Sequence, residues 1–214
     1  MPKKPEEKIY FIIETLKARY PLAECSLSYE KAYELLFATR LAAQCTDARV
    51  NLVTPVLYAR YPTLEAIADA RVEDVEEIIS SCGLYHTKAR DIVACAQVLV
   101  EKYGGVVPDT VEELIKLPGV GRKTANLIVG DVFKKPAIVT DTHCIRIANR
   151  LGLAATKDPY KVECALRRIV PPQEGSDLCH RFVLFGRDIC TARNPSCAGC
   201  PLSGVCGEGG EARV

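Results

Sequence analysis

Three features of these 214 residues predict an all-α fold. Apolar residues recur at three- and four-residue spacing through most of the chain. No stretch alternates apolar and polar residues over the length of a strand. Glycines, prolines and short polar side chains fall between the periodic runs, where helices start and stop. The expected product is about ten short helices joined by tight turns.

The elements follow in order. Pro5 opens a helix that turns Ile9, Ile12, Ile13 and Leu16 inward. Residues 29–44 form a second, rich in Leu, Phe and Ala. Thr46 is placed to cap a third over 47–60, in which Pro55 should bend or interrupt the hydrogen-bond ladder. Thr63 opens a short helix, and 72–81 makes another that closes near Gly83. A long helix over 86–103 is stopped by Gly104 and Gly105. Asp109 and Thr110 cap 111–116; after the turn LPGVG, a helix covers 122–133. Asp141 caps 142–151, which Gly152 ends. Asp158 and Pro159 start 160–170, since proline is tolerated at the first helical position. Pro171 and Pro172 break the chain, and Asp177 caps a last helix to about Ile189. The Gly-rich tail after Cys206 is expected to fray.

With 48% hydrophobic and 26% charged residues, the composition is that of a globular protein with one large core or two small ones. The opening MPKKPEEK is charged, so no signal peptide is expected, and no run is apolar enough to span a bilayer. These features predict a soluble cytoplasmic protein without a membrane partner. A net charge of +1 excludes a polycation. The charge is uneven, however. Between residues 116 and 150 there are seven basic side chains (Lys116, Arg122, Lys123, Lys134, Lys135, Arg146, Arg150) against Asp131 and Asp141, while 65–77 is acid-rich. A positive face on a neutral protein suits a polyanion, although a solvated helix face accounts for the same charges.

Cys190, Cys197, Cys200 and Cys206 are spaced C-x6-C-x2-C-x5-C. Thiolates so gathered suit zinc or an iron–sulfur cluster. The spacing does not choose between them, although it holds only one of the short clips that zinc ribbons use in pairs. Disulfides are the remaining reading, disfavoured in a reducing compartment. The other seven cysteines (Cys25, Cys45, Cys82, Cys95, Cys144, Cys164, Cys179) are scattered, mostly in apolar contexts where cysteine acts as a small hydrophobe.

The turn Leu117-Pro118-Gly119-Val120-Gly121 carries the strongest local logic. Pro118 ends one helix, and Gly119 and Gly121 permit left-handed backbone without a side chain to block a ligand. The amides opening the next helix can then hold a phosphate, with Arg122 adding a charged contact. An ordinary packing joint between two helices would use the same residues.

Three motifs in register, LPGVGRKTAN, Thr140-Asp141-Thr142-His143 and the four-cysteine spacing, make nearly the whole chain resemble the endonuclease III family of DNA glycosylases. The resemblance implies a helical DNA glycosylase fold. A six-helix domain would cover 24–135, with a helix–hairpin–helix at about 110–133; an iron–sulfur domain would combine 1–23 with 136–214. It implies a 4Fe–4S cluster on Cys190, Cys197, Cys200 and Cys206. It also implies a bifunctional glycosylase and AP lyase of base excision repair. In that reading Lys123 attacks C1′ of a damaged nucleotide, expels the base, forms a Schiff base and cuts the strand by β-elimination. The helix dipole and Arg122 both disfavour a second positive charge at Lys123, which helps to leave a nucleophilic amine. Out of context, such a lysine is a solvated surface charge.

Asp141 would stabilise positive charge on the sugar, a role compatible with capping only if one carboxylate oxygen stays free. Gln44 and Leu84 would fill the space left by an extruded base; otherwise they are a helix cap and a small core contact. His143 reads as a structural residue. Thr140 is a departure, since relatives often carry valine there. The implied substrates are oxidised pyrimidines, and the implied partner is double-stranded DNA with a damaged base or abasic site, bound by a monomer. Adenine-mismatch glycosylases share these motifs but lack this lysine and carry a further C-terminal domain. Outside the family stand a non-catalytic helix–hairpin–helix module with a structural metal, and a zinc-stapled interaction domain.

Overall fold

The computed structural model describes residues 5–207 and contains eleven α-helices, three short 3-10 turns and, among the described residues, no strand. The tail expected to fray lies from residue 208 onward outside the described residues. None of the described helices is long and apolar enough to cross a membrane. The chain divides into two compact units, Cys25–Phe133 and a discontinuous one formed from residues 5–24 with 134–207.

The continuous unit holds α2 (Ala32–Ala42), α3 (Asp47–Arg60), α4 (Leu64–Ala68), α5 (Val72–Ile79), α6 (Tyr85–Tyr103), α7 (Val111–Leu114) and α8 (Arg122–Asp131). Helix α6 turns Ala89, Ile92, Val93, Ala96 and Leu99 inward at helical spacing, and α2, α4 and α5 pack on it. Helix α2 is buried on most sides, through Leu35, Leu36, Phe37, Ala38 and Leu41, with α3 and α8 against it.

Several boundaries differ from those expected, each for a local reason. Helix α2 starts at Ala32 because the Glu34 carboxylate accepts from the amides of Glu30 and Lys31 at 2.8 and 3.1 Å and holds them in the cap. Thr46 caps α3 as expected, but Pro55 does not interrupt it. Burial of Val50, Val53 and Leu57 outweighs the lost ladder bond. Thr110 is the N-cap of α7 and accepts from Glu113 N. Helix α8 stops at Asp131, whose carbonyl accepts from the Tyr29 hydroxyl.

The discontinuous unit holds α1 (Pro5–Arg19), α9 (Thr142–Arg150), α10 (Pro159–Ile169) and α11 (Gly175–Asp188). Ile9, Ile12, Ile13 and Leu16 of α1 are buried, and α10 and α11 pack against that helix. Asp158 accepts from Lys161 N to start α10. Asp177 is not a cap: the 3-10 turn Pro172–Glu174 runs straight into α11, and Asp177 pairs with Arg181 in the first turn. Gly175 lies so close to the Ala137 carbonyl that no side chain fits there.

Candidate nucleic-acid interface and iron–sulfur loop

In the continuous unit the hairpin between α7 and α8 is seated on an ion pair. Arg40 of α2 reaches Asp91 of α6 through Nε at 2.7 Å and Nη2 at 2.6 Å. Gly119 sits directly on that pair with φ +72; a Cβ there would lie 2.8 Å from Asp91 Cβ and 3.0 Å from Arg40 Nε. Both backbone conformation and space therefore demand glycine. Gly121 is different from expectation: its φ is −91, not left-handed, and a Cβ there would meet nothing within 4 Å. Gly121 is the N-cap of α8 and supplies no side chain to its amides, and the first turn carries no acid. The positive end of the helix is thus left available to an anion. Arg122 and the exposed Lys123 are its first two residues.

Gln44 and Leu84 are both exposed and both have left-handed backbone, with φ of 55 and 59. Lys134 is the one other non-glycine residue of this kind among those described. Such a conformation costs on the order of 1–3 kcal/mol and marks functional turns more often than ordinary ones. Leu84 is 58% exposed, which removes the reading of a core contact, and Gln44 lies beyond the α2 C-cap at Ala43. The two turns are neighbours: a Cβ on Gly83 would lie 3.5 Å from the Gln44 carbonyl oxygen. Behind them is Lys88, fully buried, whose Nζ donates to the Leu41 carbonyl at 2.7 Å and so satisfies the end of α2 that leads to Gln44. Burial lowers its pKa. On an amphipathic helix a lysine reads as surface charge, so the sequence carries no signal for this one.

In the discontinuous unit Asp141 caps α9, its Oδ1 accepting from Cys144 N at 2.7 Å. The other carboxylate oxygen takes no hydrogen bond among the described residues, and the side chain is half-buried. The condition for a second role beside capping is therefore met. His143 lies 3.1 Å from Arg146 Nη2 and touches the position that a side chain on Gly186 would need, as suits a structural residue.

Arg146 and Arg150 read from sequence as part of a basic face, but both are committed to the cysteine loop. Arg146 donates to the Cys190 carbonyl from Nε and Nη2 at 3.2 and 3.0 Å. Arg150 donates to Cys190 Sγ at 3.3 Å, to Thr191 O at 2.7 Å and to Ala192 O at 3.1 Å. Its own carbonyl accepts from the Cys206 thiol and the Gly207 amide at the far end of the loop. One helix thus carries Asp141 at its start and ties both ends of the loop at its finish.

Among the described residues no three His, Cys, Asp or Glu side chains form a site for a single metal ion. The four loop thiols nevertheless share one environment. Burial raises the pKa of Cys200, and Cys190, Cys206 and Cys197 add to it in the same direction. Four soft donors around one space, with an arginine donating to one sulfur, fit an iron–sulfur cluster. Two further cysteine pairs were not legible in the sequence: Cys45 helps to raise the pKa of Cys82, and Cys179 that of Cys144.

The family model for the HhH-GPD superfamily base excision DNA repair protein matches residues 37–172, and that for the iron–sulfur binding domain of endonuclease III matches 190–206. Endonuclease III of Bacillus subtilis (strain 168) is 44% identical over 204 residues, covering 95% of this chain and 93% of its own. Endonuclease III of Escherichia coli (strain K12) is 38% identical over 195 residues, with 91% and 92% covered. A solved structure of a trapped endonuclease III–DNA covalent intermediate, an estranged-adenine complex, superposes with a TM-score of 0.89 at 43% identity, covering 95% of this chain and 96% of that one. The chain belongs to the HhH-GPD superfamily of base excision DNA repair proteins and, within it, to the endonuclease III family. It is a DNA glycosylase with AP lyase activity, and residues 190–206 are its 4Fe–4S binding domain.

Proposed function

We propose that this enzyme removes oxidised pyrimidines from double-stranded DNA and cuts the resulting abasic strand through a Schiff base on Lys123. The observation that carries the reading is the exposed Lys123 amine in the first turn of α8, directly after a hairpin whose N-cap has no side chain. The amine bonds to C1′ as the glycosidic bond breaks and the base leaves; the sugar ring opens to the imine. Loss of a C2′ proton then expels the 3′ phosphate, and water releases the lysine. The solved covalent intermediate of a relative supports a covalent route.

Asp141 carries the charge that balances the developing cation on the sugar, through the oxygen that does not cap α9. Phosphate is held by the α8 amides at Gly121, with Arg122 beside them and Gly119 setting the turn. Gln44 and Leu84 enter the duplex where the base has left it. Cys190, Cys197, Cys200 and Cys206 ligate the 4Fe–4S cluster, which when bound cross-links the loop that Arg150 holds at both ends. The enzyme works as a monomer in the cytoplasm, on the nucleoid.

The test is borohydride trapping on duplexes that each carry one lesion. The native protein becomes covalently attached to thymine glycol duplexes, and Lys123→Ala yields no adduct. Full trapping by Lys123→Ala would refute the nucleophile, and base release from other lesions only would refute the substrate class.

A further inference from the structure

Two cysteines that this chemistry does not use stand behind the exposed turns. Cys45 follows Gln44, and Cys82 precedes Gly83 and Leu84. Cys45 lies close enough to Cys82 to help raise its pKa. The turns that hold them abut, Gly83 facing the Gln44 carbonyl. Cys45 is half-buried and open to a small solute, whereas Cys82 is fully buried.

A buried cation faces the pair. The side chains that act on Lys88 are the two thiols and Arg40, and Arg49 adds a second positive charge toward Cys82. Lys88 lies wholly inside, so its charge is weakly screened where it meets sulfur. Both positive charges act to lower the pKa of the Cys82 thiol, against the larger effect of its burial. Burial pushes the Cys82 thiol up to about 11, and Cys45 is the more accessible sulfur of the two.

We infer that Cys45 and Cys82 are a reversible redox pair, closed to a disulfide by hydrogen peroxide, and that closure fixes the turns carrying Gln44 and Leu84. In the first step the Cys45 sulfur attacks one peroxide oxygen. The O–O bond breaks, the leaving hydroxide takes the thiol proton, and water departs from Cys45 sulfenic acid. In the second step Cys82 attacks the Cys45 sulfur. The S–O bond breaks, hydroxide takes the Cys82 proton, and a second water leaves. Two thiols are oxidised by two electrons, and one peroxide is reduced to two waters. A small thiol reverses the bond by exchange. The consequence for DNA rests on the proposed role of Gln44 and Leu84 as wedges: joined turns cannot part to enter the duplex.

The experiment uses the reduced, cluster-loaded protein with dilute hydrogen peroxide, the visible absorbance of the cluster confirming that it survives. Free thiols are then alkylated and peptides mapped by mass. The expected product is a cross-linked peptide pair joining Cys45 to Cys82, reversed by dithiothreitol. Incision of a lesion duplex falls about tenfold and recovers with it, a change equivalent to about 1.4 kcal/mol. Cys45→Ala, at a half-buried position, keeps full incision and loses the sensitivity. The inference is overturned if Cys45 and Cys82 stay alkylatable while Cys144 and Cys179 become linked, or if Cys45→Ala is inhibited as strongly as the native chain. Cross-linking without any loss of incision overturns the coupling to DNA. Gln44→Ala and Leu84→Ala, assayed reduced, test the wedge reading separately: normal incision by both would sink that reading and leave the cross-link standing.

Discussion

Gly119 and Gly121 lie two residues apart and meet opposite demands. At Gly119 a methyl group collides with Asp91 and the backbone is left-handed, so Gly119→Ala should destabilise the fold by about 1–3 kcal/mol in urea titrations. At Gly121 the protein leaves open space, so Gly121→Ala should change stability by less than about 1 kcal/mol. Its effect belongs to DNA: affinity should fall by a similar factor on damaged and undamaged duplexes, measured by anisotropy. Asp141 allows the same separation. Asparagine caps as well as aspartate, so Asp141→Asn should hold its unfolding midpoint while base release collapses; Asp141→Ala should lose about 1 kcal/mol as well. The turn and the cap were legible in sequence because each is set within a few residues. The Arg40–Asp91 seat of Gly119 and the burial of Lys88 were not, since each depends on contacts some fifty residues apart.

Among the elements, α9 shows how much one helix can be asked to do. Its start is a capping carboxylate, and its last turns hold the ends of the cysteine loop. Removing Arg150 takes away a donor to Cys190 Sγ and two to loop carbonyls. Arg150→Ala should therefore lose iron to a chelator several-fold faster, followed by bleaching of the visible absorbance, with unchanged helix content by circular dichroism. From sequence, Arg146 and Arg150 looked like a solvated basic face. One-dimensional spacing places them on one side of a helix but does not say what lies opposite. Helix α3 teaches the complementary lesson. Its proline argued for a break, and apolar burial on Val50, Val53 and Leu57 prevailed. Helix α11 began earlier than its expected cap because a 3-10 turn fed directly into it.

Across the whole molecule, buried thiols set an alkaline limit. Burial raises Cys25 and Cys82 from 9.0 to about 11, and Cys95 to about 12. The unfolded chain gives up these protons near pH 9 while the folded chain keeps them. The folded state therefore binds more protons in that window, and stability falls as pH rises from about 9 toward 11. Urea midpoints should drop between about pH 9 and pH 11, and Cys25→Ala should flatten part of that slope. The discontinuous unit has a consequence for biosynthesis. Helix α1 ends at Arg19, yet its apolar side is covered by α10, which starts at Pro159, and by α11. At about 5–20 residues per second, translation leaves Ile9, Ile12, Ile13 and Leu16 without their partners for roughly ten seconds or more. The segment from α2 to α8 is complete on the ribosome well before then, so the newborn protein must shelter a greasy leading helix while its middle has already folded.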